Sequence, residues 1–496
     1  MFCSPEIKNP NTINSQKMKK KLFIYSLLLL IIISACKTKD ISITSFNTSL
    51  PPVYTTSADS TEQGLPEWKT LLFEPALCAL IDSALLHNYD FKIALQKIQI
   101  AQSAVQLNKG IRMPETSIYS SAGITRYGDY TMDGVGNYDT RFSPNLNEKQ
   151  KVPNPLPGYY TGFQTNWEID IWGKLKNKKK AAVARFIASQ NGRHFIKTTL
   201  IAEVATLYYE LQALDNEMII LKDNIKLQQE ALAVVIAQKQ SAKNNELAVE
   251  MLTAQLLNSQ STIAGVRQQI IECESRLNYL CGTFPQTIIR DTSFISQESD
   301  FILKTGIPSS LLKNRPDIRQ AEMELIAGNA DVNAAKTAFY PSFSISSNIG
   351  LQSFNAILLL ETPASLAYNV LGNLSAPLLN RRRLKAELMS AKAEQMQAYI
   401  NYEKTVTNSF MEVYRAIHKI SNTSEMYQFK SEQVSILKQS VITSGELFKA
   451  GRAGYYEILM AQQTALKSQL ELNNFNKYRR IARIELYRAL GGGWQQ

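Results

Sequence analysis

The residues able to hold a metal or attack a substrate are few and stand apart. His87, His194 and His418 each sit alone on a predicted helix, with no second ligand at metal-binding spacing and no nucleophile at triad spacing. Cys273 and Cys281 share one predicted helix, about 12 Å apart along its axis, too far for a disulfide. With Cys78 they read as small buried hydrophobes. Asp317 follows Pro316 at a predicted helix start, where a carboxylate caps the helix or complements its dipole. Two basic clusters, Lys174 with Lys176 and Lys178 to Lys180, and Arg381 to Arg383, directly follow predicted strands. The lysines, which follow Trp172, suit either lipid headgroups or phosphate, or a merely solvated face. The remaining basic residues are scattered, so nucleic acid is not an expected partner. No catalytic residue, no metal and no soluble cofactor is expected, and the chain does not read as an enzyme.

The elements carrying these residues are helices of unusual length. From Lys174 to Gly282 there is no proline, and Val204, Tyr208, Leu211, Met218, Ile225, Leu232 and Ile236 recur at steps of three and four. This predicts a hairpin. Its outgoing arm, Lys174 to Lys243, would run about 100 Å at 1.5 Å per residue. The turn is expected at Asn244 and Asn245, because asparagine tolerates the left-handed backbone that ends a helix, and the return arm runs from Glu246 to Gly282. A second proline-free stretch, Arg383 to Trp494, repeats the design with Val406, Phe410, Val413, Ile417 and Ile420, and turns at Gly451. Glu250 and Glu457, Gln255 and Gln462, and Asn244 and Gly451 are each 207 positions apart. A shorter helix precedes each half, 76–110 and 310–338, with Asn88 paired to Asn314 and Ala101 to Ala327 at 226 positions, and Pro114 to Pro341 at 227. The chain is an internal duplication. A return arm and a short helix together nearly match an outgoing arm, so they can stack end to end beside it, giving four rod-length strips per chain.

Between each short helix and its hairpin lies a pair of alternating strands, within 114–172 and 341–378. Phe163, Trp167, Ile169 and Ile171 oppose Gln164, Asn166, Glu168 and Asp170, while Phe343, Ile345, Ile349 and Leu351 oppose Ser344, Ser346, Asn348 and Gly350. One apolar and one polar face suit a sandwich surface or a barrel with lipid outside and water inside. Helices too long to cover a small sheet favour the barrel. Four strands cannot close, and open edges are not tolerated in hydrocarbon, so further copies must complete it. Two chains give eight strands and a plugged interior; three give twelve and a pore, and the homotrimer is the expectation. The long polar loop 128–158 is expected outside the cell, and Ile357 to Leu360 in the other loop is expected to pack against it at the barrel mouth.

At the amino terminus, Leu22 to Ile33 follows Lys17 and Lys19 to Lys21 and is too short to span a bilayer as a stable helix. It is a signal-peptide core. Residues 1–35 are the expected signal, with Met18 a second candidate start. Ile33-Ser34-Ala35-Cys36 resembles the bacterial lipoprotein box, in which small residues precede a cysteine that is cleaved free and acylated, palmitate being one such chain. Cys36 would then be the first mature residue, and 36–64, rich in Ser, Thr and Pro, a lipidated tether. The formal charge of +11 includes five lysines and one glutamate from residues 1–35, leaving the mature chain at +7.

Across Leu65 to Trp494 the chain resembles the TolC-like outer membrane factors, specifically the NodT-type lipoprotein branch that serves efflux pumps. The marks are Arg315-Pro316-Asp317-Ile318 followed by Ala321-Glu322, then Phe339-Tyr340-Pro341, Trp167-Glu168-Ile169-Asp170-Ile171-Trp172-Gly173-Lys174, and Gly491-Gly492-Gly493-Trp494. The resemblance implies a mainly helical fold with a trimeric twelve-stranded membrane barrel that continues into a periplasmic helical tunnel. It implies an outer membrane location, and an adaptor protein and inner-membrane transporter as partners, met at the hairpin tips Asn244, Asn245 and Gly451. The chain would passively conduct drugs or other small toxic compounds out of the cell. A protein-secretion duct and a structural periplasm-spanning lipoprotein are the alternatives, and a merely structural tether needs no barrel. Domain organisation follows: repeats at 65–282 and 309–494 joined by an equatorial segment at 283–308. Two departures from the family pattern stand out. The first tip has Asn244 in place of glycine, and Met460 stands where many relatives place an aspartate. Glu457, six positions beyond Gly451, is the nearby acid, and three copies would form an acidic ring. Glu457 and Met460 are therefore the candidate periplasmic gate.

Overall fold

The computed structural model describes residues 51, 53–54, 65–290 and 306–495. The signal at 1–35, the lipidation residue Cys36, nearly all of the tether and most of the equatorial segment lie outside them. Each half opens with short helices. In the first they are α1 (Pro75–His87) and α2 (Tyr89–Gly110), where a single helix is predicted. The break falls at Asn88, whose side chain accepts from the Phe91 amide at 3.0 Å and donates to the Leu280 carbonyl at 3.0 Å. A side chain that caps a new helix and ties it elsewhere satisfies backbone groups that a continuous helix would not have freed.

The strands follow as expected: β1 (Glu115–Thr125), β2 (Leu156–Ile169), β3 (Ser342–Ser353) and β4 (Leu366–Ser375) form one antiparallel sheet in the order β1-β2-β3-β4. Between β1 and β2 lies α3 (Met132–Asp139). Register aligns Ile118, Phe163, Ile349 and Tyr368 in one row and Ser117, Gln164, Asn348 and Asn369 in the next. Residues directly opposite share a face, so the sheet has one apolar and one polar side, as the alternation predicts. Exceptions are Leu371, which falls in the polar row with Asn166 and Ser346, and the hydroxyls of Thr116, Thr165, Ser347, Ser120 and Thr161, which share the apolar side. Among the described residues, nothing pairs with the outer edges of β1 and β4. At the far end of the sheet Lys149 binds Glu361 at 2.7 Å, and residues 153–159 line a cleft with 354–358, so the two loops meet, but Ile357 and Leu360 of the run expected to pack there are exposed.

The rods are α4 (Lys174–Gln240) with α5 (Glu246–Leu280), and α7 (Arg381–Lys449) with α8 (Tyr455–Ala489); α6 (Pro316–Thr337) is the second-half counterpart of α2. In the helical layer α2 and α5 lie along α4, α4 touches α6 and α8, and these two lean on α7, so α2 with α5 and α7 form opposite edges. Near the sheet α4 and α6 meet through Ala181, Ala184, Ala327 and Ala330, small residues that allow close approach. Lower down, Val204, Tyr208 and Leu211 of α4 bury completely against Leu77, Ile81 and Leu277, which is the predicted seam. Nearer the tip the seam weakens. Ile225 and Leu232 are half-buried, Ile236 is exposed, and between the buried Leu221 and Val235 the buried positions are polar, Asn224 and Gln228, hydrogen-bonded to each other at 2.7 Å.

The repeat register departs from the sequence alignment. Arg381 follows Lys174 by 207 positions, but α7 has 69 residues against 67 in α4, so from the tips onward the interval is 209, as between the starts Glu246 and Tyr455 and between Gly282 and Gly491. Glu457 therefore pairs with Ala248, not Glu250, and Gly451 with Ala242, not Asn244. In the short helices the partner of Asn88 is Arg315 at 227 positions, not Asn314 at 226. Asn88 donates to Leu280 and Arg315 donates to Ala489 at 2.9 Å, two carbonyls that are themselves 209 apart. No helix among the described residues is long and apolar enough to cross a membrane.

Candidate functional site

At the first tip the left-handed residue is Ala242, at φ 56°, rather than either asparagine. Asn245 instead caps α5, accepting from the Ala248 amide at 3.1 Å, and Asn244 donates to Gln238 at 2.5 Å. Lys239 and Glu246 pair across the turn. The second tip turns at Gly451, φ 69°, as predicted. Its helix α8 is preceded by Gly454, which has no side chain to cap with. Glu457 stands at the third helical position and its carboxylate folds back over Gly454, 2.8 Å from where a β-carbon there would sit. An acid in the first turn complements the dipole, so Glu457 does at the second tip what Asn245 and Glu246 do at the first. Glu457 and Met460 are both exposed in the single chain.

The two tips are bound into one unit. Val235, Ala248 and Leu252 of the first hairpin bury against Phe448, Ile458 and Leu459 of the second, and Gln463 donates to Gln255 at 2.8 Å. Adhesion between hairpins was not visible in either hairpin's own periodicity, because Ile458 and Leu459 flank the helix start rather than sit on a long ladder.

Other sequence marks form joints. Asp170 accepts from the Leu175 and Lys176 amides at 2.9 and 2.7 Å, capping α4, while Gly173, φ 76°, supplies the left-handed turn out of β2. Trp167 donates to the Arg112 carbonyl at 3.1 Å, Trp172 to the Pro341 carbonyl at 2.7 Å, and Lys174 pairs with Glu168 at 2.6 Å. Midway down the rods, buried Arg315 holds Asp317 at 2.6 Å, Glu412 at 2.8 Å and the Ala489 carbonyl. Asp317 thus works through Arg315 as well as through the dipole. Trp494 donates to the Asn314 carbonyl at 2.8 Å and closes the same joint.

The outer membrane efflux protein family matches this chain over residues 80–283 and 307–492. The chain belongs to that family. The cation efflux system protein CusC of Escherichia coli O6:H1 is 27% identical over 429 residues, covering 86% of this chain and 88% of that protein. The probable outer membrane lipoprotein SilC of Salmonella typhimurium is 26% identical over 427 residues, covering 86% and 88%. A crystal structure of CusC superposes with a TM-score of 0.76 at 25% identity, over 90% of this chain and 97% of that one. CusC is named as an efflux system protein and SilC as an outer membrane lipoprotein, and the family places this efflux protein in the outer membrane.

For an efflux protein of this family, chemistry-bearing side chains belong to packing. His194 lies against Trp494 with ring centres 5.0 Å apart, and burial, then Arg193, Lys197 and Arg319, hold its pKa below the usual value. His418 stacks edge-on with Tyr414, and exposed His87 meets the Ser83 carbonyl. The Cys273 thiol donates to the Leu207 carbonyl at 3.3 Å, and burial pushes its pKa up to about 12, so it stays a thiol. Among the described residues, no group of His, Cys, Asp or Glu could hold a metal ion. One buried acid escaped sequence reasoning. Glu74, just before α1, is almost fully enclosed, accepts from Gln212 at 3.0 Å and lies 3.8 Å from Arg480. Burial raises its pKa, and the Gln212 and Arg480 contacts offset this in part.

Proposed function

We propose that three copies of this efflux protein form the passive exit duct of a tripartite pump, carrying drugs or other small toxic compounds from an inner-membrane transporter and its adaptor to the exterior. The observation that carries the reading is a four-stranded sheet with two open edges, continuous with rods whose outward faces are also apolar. Leu86, Ile93, Ile100 and Leu107 recur every seven residues on α1 and α2 and are all exposed. At the opposite edge Met389, Ile400, Met411, Phe429 and Ile436 of α7 are exposed too. Edge strands and apolar seams at both ends of one layer suit head-to-tail association that closes into a ring. The joined tips, 242–245 and 451–454, are the surface offered to the adaptor, Glu457 with Met460 the gate beside them, and acylated Cys36 the membrane anchor. The detergent-solubilised protein should have a mass near three chains and conduct ions in planar bilayers. A monomer that conducts would overturn the reading.

A further inference from the structure

We propose that the strand-to-helix joint is a docking belt for the headgroups of anionic phospholipids. The apolar face of the sheet ends in the row Ile169, Phe343 and Leu374. Directly beyond it, Ile171, Trp172, Tyr340, Leu378 and Leu379 are exposed, and the Trp172 and Tyr340 rings lie 5.1 Å apart, with the indole N–H held by the Pro341 carbonyl. An amphipathic aromatic pair at the edge of an apolar sheet suits the level where acyl chains give way to headgroups. The first two turns of α4 and the first of α7 come next. They bring Lys174, Lys176, Lys178 to Lys180 and Arg381 to Arg383, with no acid in either first turn.

Cations at helix N-termini oppose the dipole, so this placement costs stability unless an anion lies nearby. The chain's own acids supply little of it. Glu168 takes Lys174 at 2.6 Å, Glu387 takes Arg383 at 2.7 Å, and both carboxylate oxygens of Asp170 are occupied by the α4 amides. Among the described residues no carboxylate pairs with the other six, of which Lys176, Lys178, Lys180, Arg381 and Arg382 are exposed. A plane of lipid phosphates continuous with the hydrocarbon facing the sheet is the occupant that matches both the apolar rim and the charge. Each engaged cation strengthens attachment about fivefold.

The inference rests on the sheet lying in the membrane, and conductance reads that premise separately. Full-length protein, delipidated in detergent, is offered phosphatidylglycerol or phosphatidylcholine and the retained lipid counted by native mass spectrometry. Phosphatidylglycerol should be held preferentially. The combined Lys176→Gln, Lys180→Gln, Arg381→Gln and Arg382→Gln variant should lose that preference while still conducting in bilayers, and the exchanges Lys176→Arg with Arg381→Lys should retain it. Lys404→Gln with Lys438→Gln, on α7 away from the sheet, should leave it unchanged. A preference that survives the four-site variant, or vanishes equally in the remote pair, overturns the belt. So does displacement of phosphatidylglycerol by millimolar inorganic phosphate, which would mark a free-anion site. A wild-type protein that conducts without any lipid preference overturns the belt and leaves the duct standing.

Discussion

Glu457 has two physical duties that one substitution can separate. Its carboxylate folds over Gly454 at the start of α8, and in a ring of three copies it would also place negative charge beside the tips. Gln at the third helical position keeps much of the reach back to the helix start but carries no charge. Glu457→Gln should therefore leave the hairpin folded and lower cation preference in single-channel recordings, while Met460→Asp raises it and Glu250→Gln does less than Glu457→Gln. Reversal potentials in a salt gradient that do not move in Glu457→Gln and Met460→Asp would remove both residues from the gate. Glu74 makes a second residue-level prediction. Because burial raises its folded-state pKa, the ionised form is disfavoured by folding, so stability falls as pH climbs from the ordinary carboxylate range through the raised value. Glu74→Gln removes the titration and keeps a partner for Gln212. Its melting temperature should vary less with pH across that window than the wild type's, and parallel curves would show that Glu74 does not set the dependence. For Cys36, Cys36→Ser should leave the precursor unlabelled by radioactive fatty acid and mistargeted; label on that variant would refute the anchor.

At the scale of elements, the first tip holds a side chain where the second holds glycine. An alanine at left-handed φ costs about 1 kcal/mol, partly balanced by the extra freedom glycine has when unfolded. Ala242→Gly should slow amide exchange at Ser241 to Asn245, whereas Asn244→Gly, the change suggested by the sequence alignment, should not; the reverse order would put the turn back at Asn244. The long arms, the strand alternation and the duplication were legible because each rests on a period repeated many times. The turn was not, because it depends on one residue's backbone, and two extra residues in α7 had shifted the alignment by the time it reached the tip. Asn88 is hidden for a related reason: a cap tied to Leu280, nearly two hundred positions away, leaves no mark in the local pattern, and apolar residues at helical spacing on both sides, Leu77, Ile81 and Ala84 before it and Phe91, Leu95 and Ile98 after it, carry the predicted helix straight through. The tip cluster of Phe448, Ile458 and Leu459 was hidden because its partners belong to the other hairpin.

The helices and strands from residue 75 onward form a layer whose two edges are unfinished in the same way. In one chain Ile100 on α2 is 70% exposed, and a charge there should change the stability of the isolated fold by no more than about 0.5 kcal/mol. In a closed ring the same residue would face α7 of the next copy, where Ile400, 55% exposed in the single chain, offers an apolar counterpart. Burying an unpaired carboxylate between two such seams costs several kcal/mol, far more than the exposed position predicts. Ile100→Glu should therefore keep helical circular dichroism near wild type while abolishing the three-chain species in detergent and conductance in bilayers. Ile100→Leu, similar in volume and equally apolar, should assemble normally, which separates lost apolar contact from a general intolerance of change at this site. Gln99→Glu, one position away, is the control for added charge: if it blocks assembly as strongly as Ile100→Glu, electrostatic repulsion rather than seam packing decides closure. An Ile100→Glu protein that still sediments as three chains would mean that α2 faces solvent in the assembled duct, and the edges of the layer would have to be joined through the sheet alone.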